Sequence, residues 1–208
     1  DVEGTPLYKS LVKLDLDIDI DFVTDNTQSL AVVYNQLIDH HKNEDYIILM
    51  HDDVWVTSDF RKIIESKITS HGLIGVAGAT ECNFTRPCLW HLMTTRDNLR
   101  GNVAHGNMEN HTPTFFGGPL PHKVVVMDGV FMAISNSVMN SNVRFDENNP
   151  TKFHFYDLDF SIQVFKSGHK PIVMQLPIIH ESGGLKSLDD VEWNKGQDYF
   201  YKKYNNKY

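Results

Sequence analysis

The alternation of polar and apolar positions changes period along the chain, and each change marks an element. Asp17-Ile-Asp-Ile-Asp-Phe-Val23 alternates with a period of two, which predicts a strand. Leu30, Val33, Leu37 and Ile38 then recur at helical spacing behind Asp25-Asn26-Thr27, a helix-starting cluster. That helix should end near His41, where residues 42–45 read as a turn. Ile47 to Met50 is uniformly apolar, as a strand buried on both faces would be. Ser58 or Asp59 can cap a helix carrying Ile63, Ile64 and Ile68, and residues 72–78 (GLIGVAG) form a further short buried strand. The order β-α-β-α-β predicts a parallel sheet covered by helices. Residues 4–14 are weakly patterned and read as a short helix or a turn.

Residues 80–122 break this rhythm. They are rich in Gly, Pro, Asn, His and Thr, yet carry Trp90 and the Phe115-Phe116 pair. A loop of that length inside a compact domain is usually a lid or a binding surface, and its aromatics argue against plain disorder. Regular structure resumes with strands over 123–127 and 128–134. A helix over 153–167 buries Leu158, Ile162 and Phe165 and stops at Gly168. A strand over 171–176 follows, and a tail over 185–208 should form a surface helix. No internal repeat or second core stands out, so residues 1–208 are expected to be one domain.

Composition narrows the partners. A net charge of −8 with no basic block disfavours a nucleic-acid polymer, while a small anionic ligand remains compatible if a cation offsets the field. The two cysteines, Cys82 and Cys88, do not form a CxxC motif and are expected to be free thiols in a reducing compartment. No apolar run approaches the roughly 20 residues of a membrane span, and no signal peptide opens the chain. Two short glycosylation-type patterns, at Asn83 and Asn110, are of a kind that arises by chance. The expected location is cytosolic.

The candidate chemistry gathers where strands end, as ligands do in open parallel sheets. Asp25 follows the first strand, His51-Asp52-Asp53 the second, Asp128 a later one and His180 the last. Adjacent carboxylates at a sheet edge repel each other and lose water, so they need a compensating partner or a structural task. Asp52 and Asp53 in extended chain would point to opposite sides. One could meet a divalent cation while the other accepts hydrogen bonds from a sugar hydroxyl; alternatively, both cap a turn or the next helix. A few carboxylates and one imidazole suit Mg2+ or Mn2+. His180 could be a satisfied interior histidine, or a metal or phosphate contact backed by Ser182-Gly183-Gly184, whose glycines permit close approach. Asp157 and Asp159, two apart on a helix, lie about 200° apart and cannot face one site. Either one is a base at the helix entrance while the other pairs structurally, or both serve the helix dipole.

Taken in order, VTDN (23–26), SLAVVYNQ (29–36), YIILMHDDV (46–54), GVAG (75–78), MDGVFMAIS (127–135), FYDLDFSIQVFKSGHK (155–170) and IIHESGG (178–184) resemble the GT-A fold glycosyltransferases, particularly inverting family 2. The resemblance covers roughly residues 18–184. It implies an α/β GT-A fold with a mostly parallel central sheet flanked by helices. It also implies transfer of a sugar from a nucleotide-diphosphate donor, with UDP-sugar favoured, to a hydroxyl of a glycan acceptor, with Mn2+ or Mg2+ as cofactor. By position, Asp53 would bind the metal and His180 would be a further ligand. Asp52 would face the ribose or sugar, Asp25 with Asn26 the nucleotide, and Asp128 with Gly129 the sugar and acceptor pocket. Asp157 would be the general base. HDD is not a strict DxD, so the metal ligand stays open between Asp52 and Asp53. The alternatives are a non-catalytic nucleotide-sugar or glycan-binding module, and a metal-dependent nucleotidyltransferase.

Overall fold

A computed structural model describes residues 1–16, 18–181 and 191–205. Its helices are α1 (Pro6–Leu14), α2 (Leu30–His40), the short α3 (Arg61–Glu65), α4 (Ile68–His71) and α5 (Asn136–Met139), then α6 (Tyr156–Lys166) and α7 (Val191–Asn205). Its strands are β1 (Tyr46–Met50), β2 (Val54–Val56), β3 (Leu73–Gly75), β4 (Ala77–Ala79), β5 (Leu99–Gly106), β6 (His111–Phe116), β7 (His122–Lys123), β8 (Val126–Met127), β9 (Phe131–Ser135), β10 (Ile172–Val173) and β11 (Ile178–His180).

The strands form two sheets, ordered β1-β9-β3-β10-β7 and β2-β11-β5-β4-β8, with β6 pairing β5. The sheets are mixed rather than mostly parallel. Among the described strands only β3–β10 and β5–β11 pair in parallel. The parallel expectation treated consecutive strands as sheet neighbours, but β9 inserts between β1 and β3, antiparallel to both. Local periodicity carries no information about such a long-range insertion.

The chain repeatedly passes from one sheet to the other over a few residues. It does so at His51–Asp53 between β1 and β2, at Val76 between β3 and β4, at Asp128–Val130 between β8 and β9, and at residues 174–177 between β10 and β11. Backbone bonds stitch these crossings together, among them His51 N–H to the Val130 carbonyl (3.3 Å), Asp128 N–H to Ala77 (2.9 Å) and Glu181 N–H to Asp53 (2.8 Å). Two of these crossings, His51–Asp53 and Asp128–Val130, bring acids and an imidazole to one seam, and the strand that follows a third ends there in His180.

Two apolar clusters flank this arrangement, and α6 serves both. Leu158 and Ile162 enter one, while Tyr156, Phe160 and Val164 enter the other. Packed between both clusters, α6 has a well-fixed first turn, although Phe165 near its end, expected to be buried, is exposed.

Several expectations are corrected. Residues 18–23 form no strand; Ile20 and Val23 are exposed, while Phe22 packs its ring 5.8 Å from Tyr8 of α1. Alternation yields a strand only where another strand offers hydrogen bonds, and here the segment docks residue by residue instead. Ser29, not the 25–27 cluster, caps α2 by accepting the Val32 N–H (3.3 Å). Asp59 accepts the Arg61 N–H (2.9 Å), but no side chain caps the short α3, which stops at Glu65 before α4 begins. Part of the 80–122 segment is ordered as the β5–β6 hairpin. The tail helix α7 is no surface helix, since Trp193, Phe200 and Tyr204 are buried in the core. Cys82 and Cys88 are free, their thiols pushed up by burial to about 12 and about 11. Among the described residues no helix is long and apolar enough to cross a membrane.

Candidate active site at the seam between the sheets

Three residues converge, two from one crossing and one from the end of a strand. His51 and Asp53 leave β1 two residues apart, and His180 closes β11, which pairs with β2. Asp53 Oδ1 lies 3.3 Å from His180 Nε2 and 3.9 Å from His51 Nδ1. One ligand-capable atom from each of the three lies within 4.8 Å of the others. Asp53 Oδ1 and His180 Nε2 are buried and, among the described residues, make no well-aligned hydrogen bond to any third group, so each has only the other, 3.3 Å away, to face. Two buried polar atoms left with so poor a contact are costly, and a cation bound by both would remove that cost. Burial pulls the His51 imidazole below its ordinary value despite the opposing charges of Asp128 and Asp53, which keeps it neutral as a ligand must be. At Asp53 burial acts upward, but the neighbouring imidazoles prevail and hold the carboxyl below its usual range. The donor set thus fits a divalent cation, with two imidazole nitrogens and one carboxylate oxygen.

Beside this group stands Asp157, in the first turn of α6. Its Oδ2 accepts the Gly129 N–H (2.8 Å). Desolvation first, and then the charge of Asp128, push the carboxyl up to about 7, the range suited to a base at neutral pH. Asp128 is itself fixed, with Oδ1 accepting the Val130 N–H (3.0 Å) and Oδ2 the Trp90 Nε1–H (3.0 Å). The residue before α6 and its Tyr156, Phe155, has φ 65°, a left-handed conformation that strains a bulky side chain. Its ring is held against Trp193 (5.5 Å) and Phe200 (5.7 Å) of α7, so core packing offsets the strain that aims the start of α6.

Tyr156 joins the two halves. Its hydroxyl lies 2.7 Å from His51 Nε2 and donates to the Gly129 carbonyl (3.3 Å). Gly129 is needed for close approach. A Cβ there would lie 2.3 Å from the Tyr156 hydroxyl oxygen and 2.8 Å from Asp157 Cβ. Gly129→Ala should cost about 1–3 kcal/mol through overpacking, read as a lowered denaturation midpoint. Unchanged stability would mean that α6 shifts freely, contrary to its burial.

The other anticipated residues are placed differently. Asp52 is exposed in the turn; its side chain does not join the three-residue group, and its carbonyl accepts the Leu7 N–H (3.1 Å). Asp25 lies in irregular chain, not at a strand end, with φ 51°, and Asn26 closes a turn on Gln28 (2.8 and 3.0 Å). Among the described residues neither bonds to the His51–Asp53–His180 group. Ser182, Gly183 and Gly184 lie outside the described residues. Asp159 faces away from Asp157 and pairs with Lys203. Sequence reasoning passed over His51 as a ligand and Tyr156 as its partner. The signal for His51 was its spacing two before Asp53.

The seam defines a mixed α/β protein with a cation-compatible acid and imidazole group beside a raised carboxyl. The family model described as "Glycosyltransferase like family" matches residues 8–204, and the chain belongs to that family. No curated protein matches the chain. Among solved structures, one titled "Crystal Structure of A197 from STIV" is similar at 12% identity and a TM-score of 0.45, covering 90% of this chain and 92% of that one.

Proposed function

We propose that this chain transfers a sugar from a nucleotide-diphosphate donor to a hydroxyl of a glycan acceptor, inverting the anomeric carbon, with UDP-sugar as the favoured donor. The observation that carries the reading is the pairing, through Tyr156, of a carboxyl raised to about 7 with a group of cation-seeking atoms. Asp157 accepts the proton of the acceptor hydroxyl as that oxygen attacks the anomeric carbon and the bond to the leaving diphosphate breaks. His51, Asp53 and His180 would hold Mn2+ or Mg2+, the mixed nitrogen and oxygen set favouring Mn2+. A bound cation supplies charge neutralisation for the departing diphosphate. A single displacement requires no second in-line carboxylate, and in this reading burial first, and the charge of Asp128 second, keep Asp157 basic.

Thermal-shift screening of nucleotide sugars with and without Mn2+ tests this directly. A cognate donor at 100 times its dissociation constant stabilises by about 2.7 kcal/mol, on the order of 5 °C or more for a domain of this size. The shift should need the metal and should disappear in Asp53→Ala. If no nucleotide sugar shifts the midpoint in the presence of Mn2+, the donor assignment is wrong.

A further inference from the structure

The proton on the Tyr156 hydroxyl decides which nitrogen of His51 is free. Gly129 is buried, and among the described residues the Tyr156 hydroxyl is the donor that its carbonyl finds. A tyrosine hydroxyl has one proton to give. If that proton goes to the Gly129 carbonyl or to the Tyr34 hydroxyl, which also hydrogen-bonds to Tyr156, the 2.7 Å contact with His51 is a hydrogen bond only when Nε2–H donates to the hydroxyl oxygen. A neutral imidazole protonated at Nε2 carries its lone pair on Nδ1. Nδ1 is the atom that faces Asp53 Oδ1 at 3.9 Å. The opposite arrangement would leave the buried Gly129 carbonyl without a donor among the described residues.

We infer that Tyr156 is a positioning residue that locks His51 in the Nε2–H tautomer and so makes it the third ligand of a transition-metal site with Asp53 and His180. The inference rests on the cation reading of the seam proposed above. It adds that His51 coordinates through Nδ1, and that Tyr156 sets this by holding the proton on Nε2. Tyr156 is well placed for such a task, with its ring edge-on to Tyr34 at 5.4 Å and fixed by its burial at the start of α6. The hydroxyl cannot swing away without losing His51, the Gly129 carbonyl and Tyr34. Outer partners of this kind commonly govern metal affinity 10- to 100-fold without touching the ion.

The first test uses the metal-free wild-type protein, so it depends on no variant folding. Nitrogen NMR of 15N-histidine-labelled protein should show His51 protonated at Nε2 and bare at Nδ1; the reverse tautomer overturns the inference. The second is Mn2+ and Mg2+ titration by calorimetry, with Mn2+ paramagnetic resonance reporting free ion. Wild type should bind Mn2+ more tightly than Mg2+, and Tyr156→Phe should weaken Mn2+ binding 10- to 100-fold. His51→Ala should weaken it at least as much, and the double variant should be no weaker than His51→Ala alone, because Tyr156 acts through His51. Full additivity would show a merely structural role for Tyr156 and overturn the inference. If wild type binds neither ion, the cation reading itself fails. If Asp53→Ala abolishes binding while Tyr156→Phe leaves it unchanged, only the role of Tyr156 fails.

Discussion

Asp157→Asn should abolish sugar transfer, leave donor binding intact, and make the protein more stable at neutral pH. The loss expected for removing a general base is about 10^2- to 10^4-fold in turnover. Binding should survive because the amide oxygen of Asn can still accept the Gly129 N–H that Asp157 accepts at 2.8 Å. The stability gain follows from linkage. Burial and the Asp128 charge raise the folded carboxyl from 3.8 to about 7. Below about pH 4 it is protonated in both folded and unfolded chains, and the folded state has no charge to bury. Between about 4 and about 7 the unfolded chain ionises first, so folded stability is lost as pH rises. Three pKa units correspond to about 4 kcal/mol as an upper bound, and the half-buried position lowers the expected gain to about 1–3 kcal/mol. The variant should therefore unfold a few degrees higher at pH 8 and gain little at pH 4. Wild-type transfer should rise with pH through about 7, whereas the residual rate of the variant should lack that step. Transfer within tenfold of wild type would remove Asp157 as base. A wild type that binds donor in the presence of metal, yet transfers to no acceptor, would point to a binding module instead.

The elements readable from sequence were those whose partners lie nearby in the chain. Leu30 to Ile38 shows its helical stripe locally, and α2 forms over almost that span. The opposed faces of Asp157 and Asp159 follow from helix geometry alone, and their side chains do turn to different surroundings. Residues 18–23 carry an equally clear alternation but find no strand to pair with, and that information is nonlocal. The same limit hid β9, whose place between β1 and β3 made the sheets mixed. In α7 a legible signal was overlooked. Trp193, Phe200 and Tyr204 fall on one helical stripe, disguised by abundant Lys, Asn and Tyr. At the seam, strand ends could be located but not which crossings meet, so His51 was noticed without being assigned to Asp53 and His180.

Lys203→Ala should be among the most damaging single changes far from the seam, because it strips the counter-charge from two enclosed acids. Lys203 Nζ lies 2.6 Å from both Asp146 Oδ2 and Asp159 Oδ1. Asp159 is buried, and it also accepts hydrogen bonds from Tyr204 (2.6 Å) and from Gln163. At Asp146 burial acts upward, but bonds from Lys203 and Tyr199 outweigh it and hold the carboxyl below its usual range. Removing one partner of a buried ion pair costs about 3–5 kcal/mol, since the remaining charge stays desolvated. Here a cleft of about 430 Å3 lined by Asn35, Arg144, Asp146 and Lys203 lets water approach, which places the expected loss near the lower end. The effect should reach the active site through α7. Lys203 ties that helix to α6, and the same helix carries Trp193 and Phe200, which hold Phe155 in its strained conformation just before Tyr156 and Asp157. Loosening α7 should relax Phe155 and displace Asp157 from the Gly129 N–H, so turnover should fall by more than the folded fraction does. Combining Asp146→Asn and Asp159→Asn with Lys203→Met tests the cause, because removing all three charges together should restore much of the stability that Lys203→Ala loses. If Lys203→Ala unfolds within about 1 kcal/mol of wild type, the triad is solvated and α7 is held by its aromatic stripe alone.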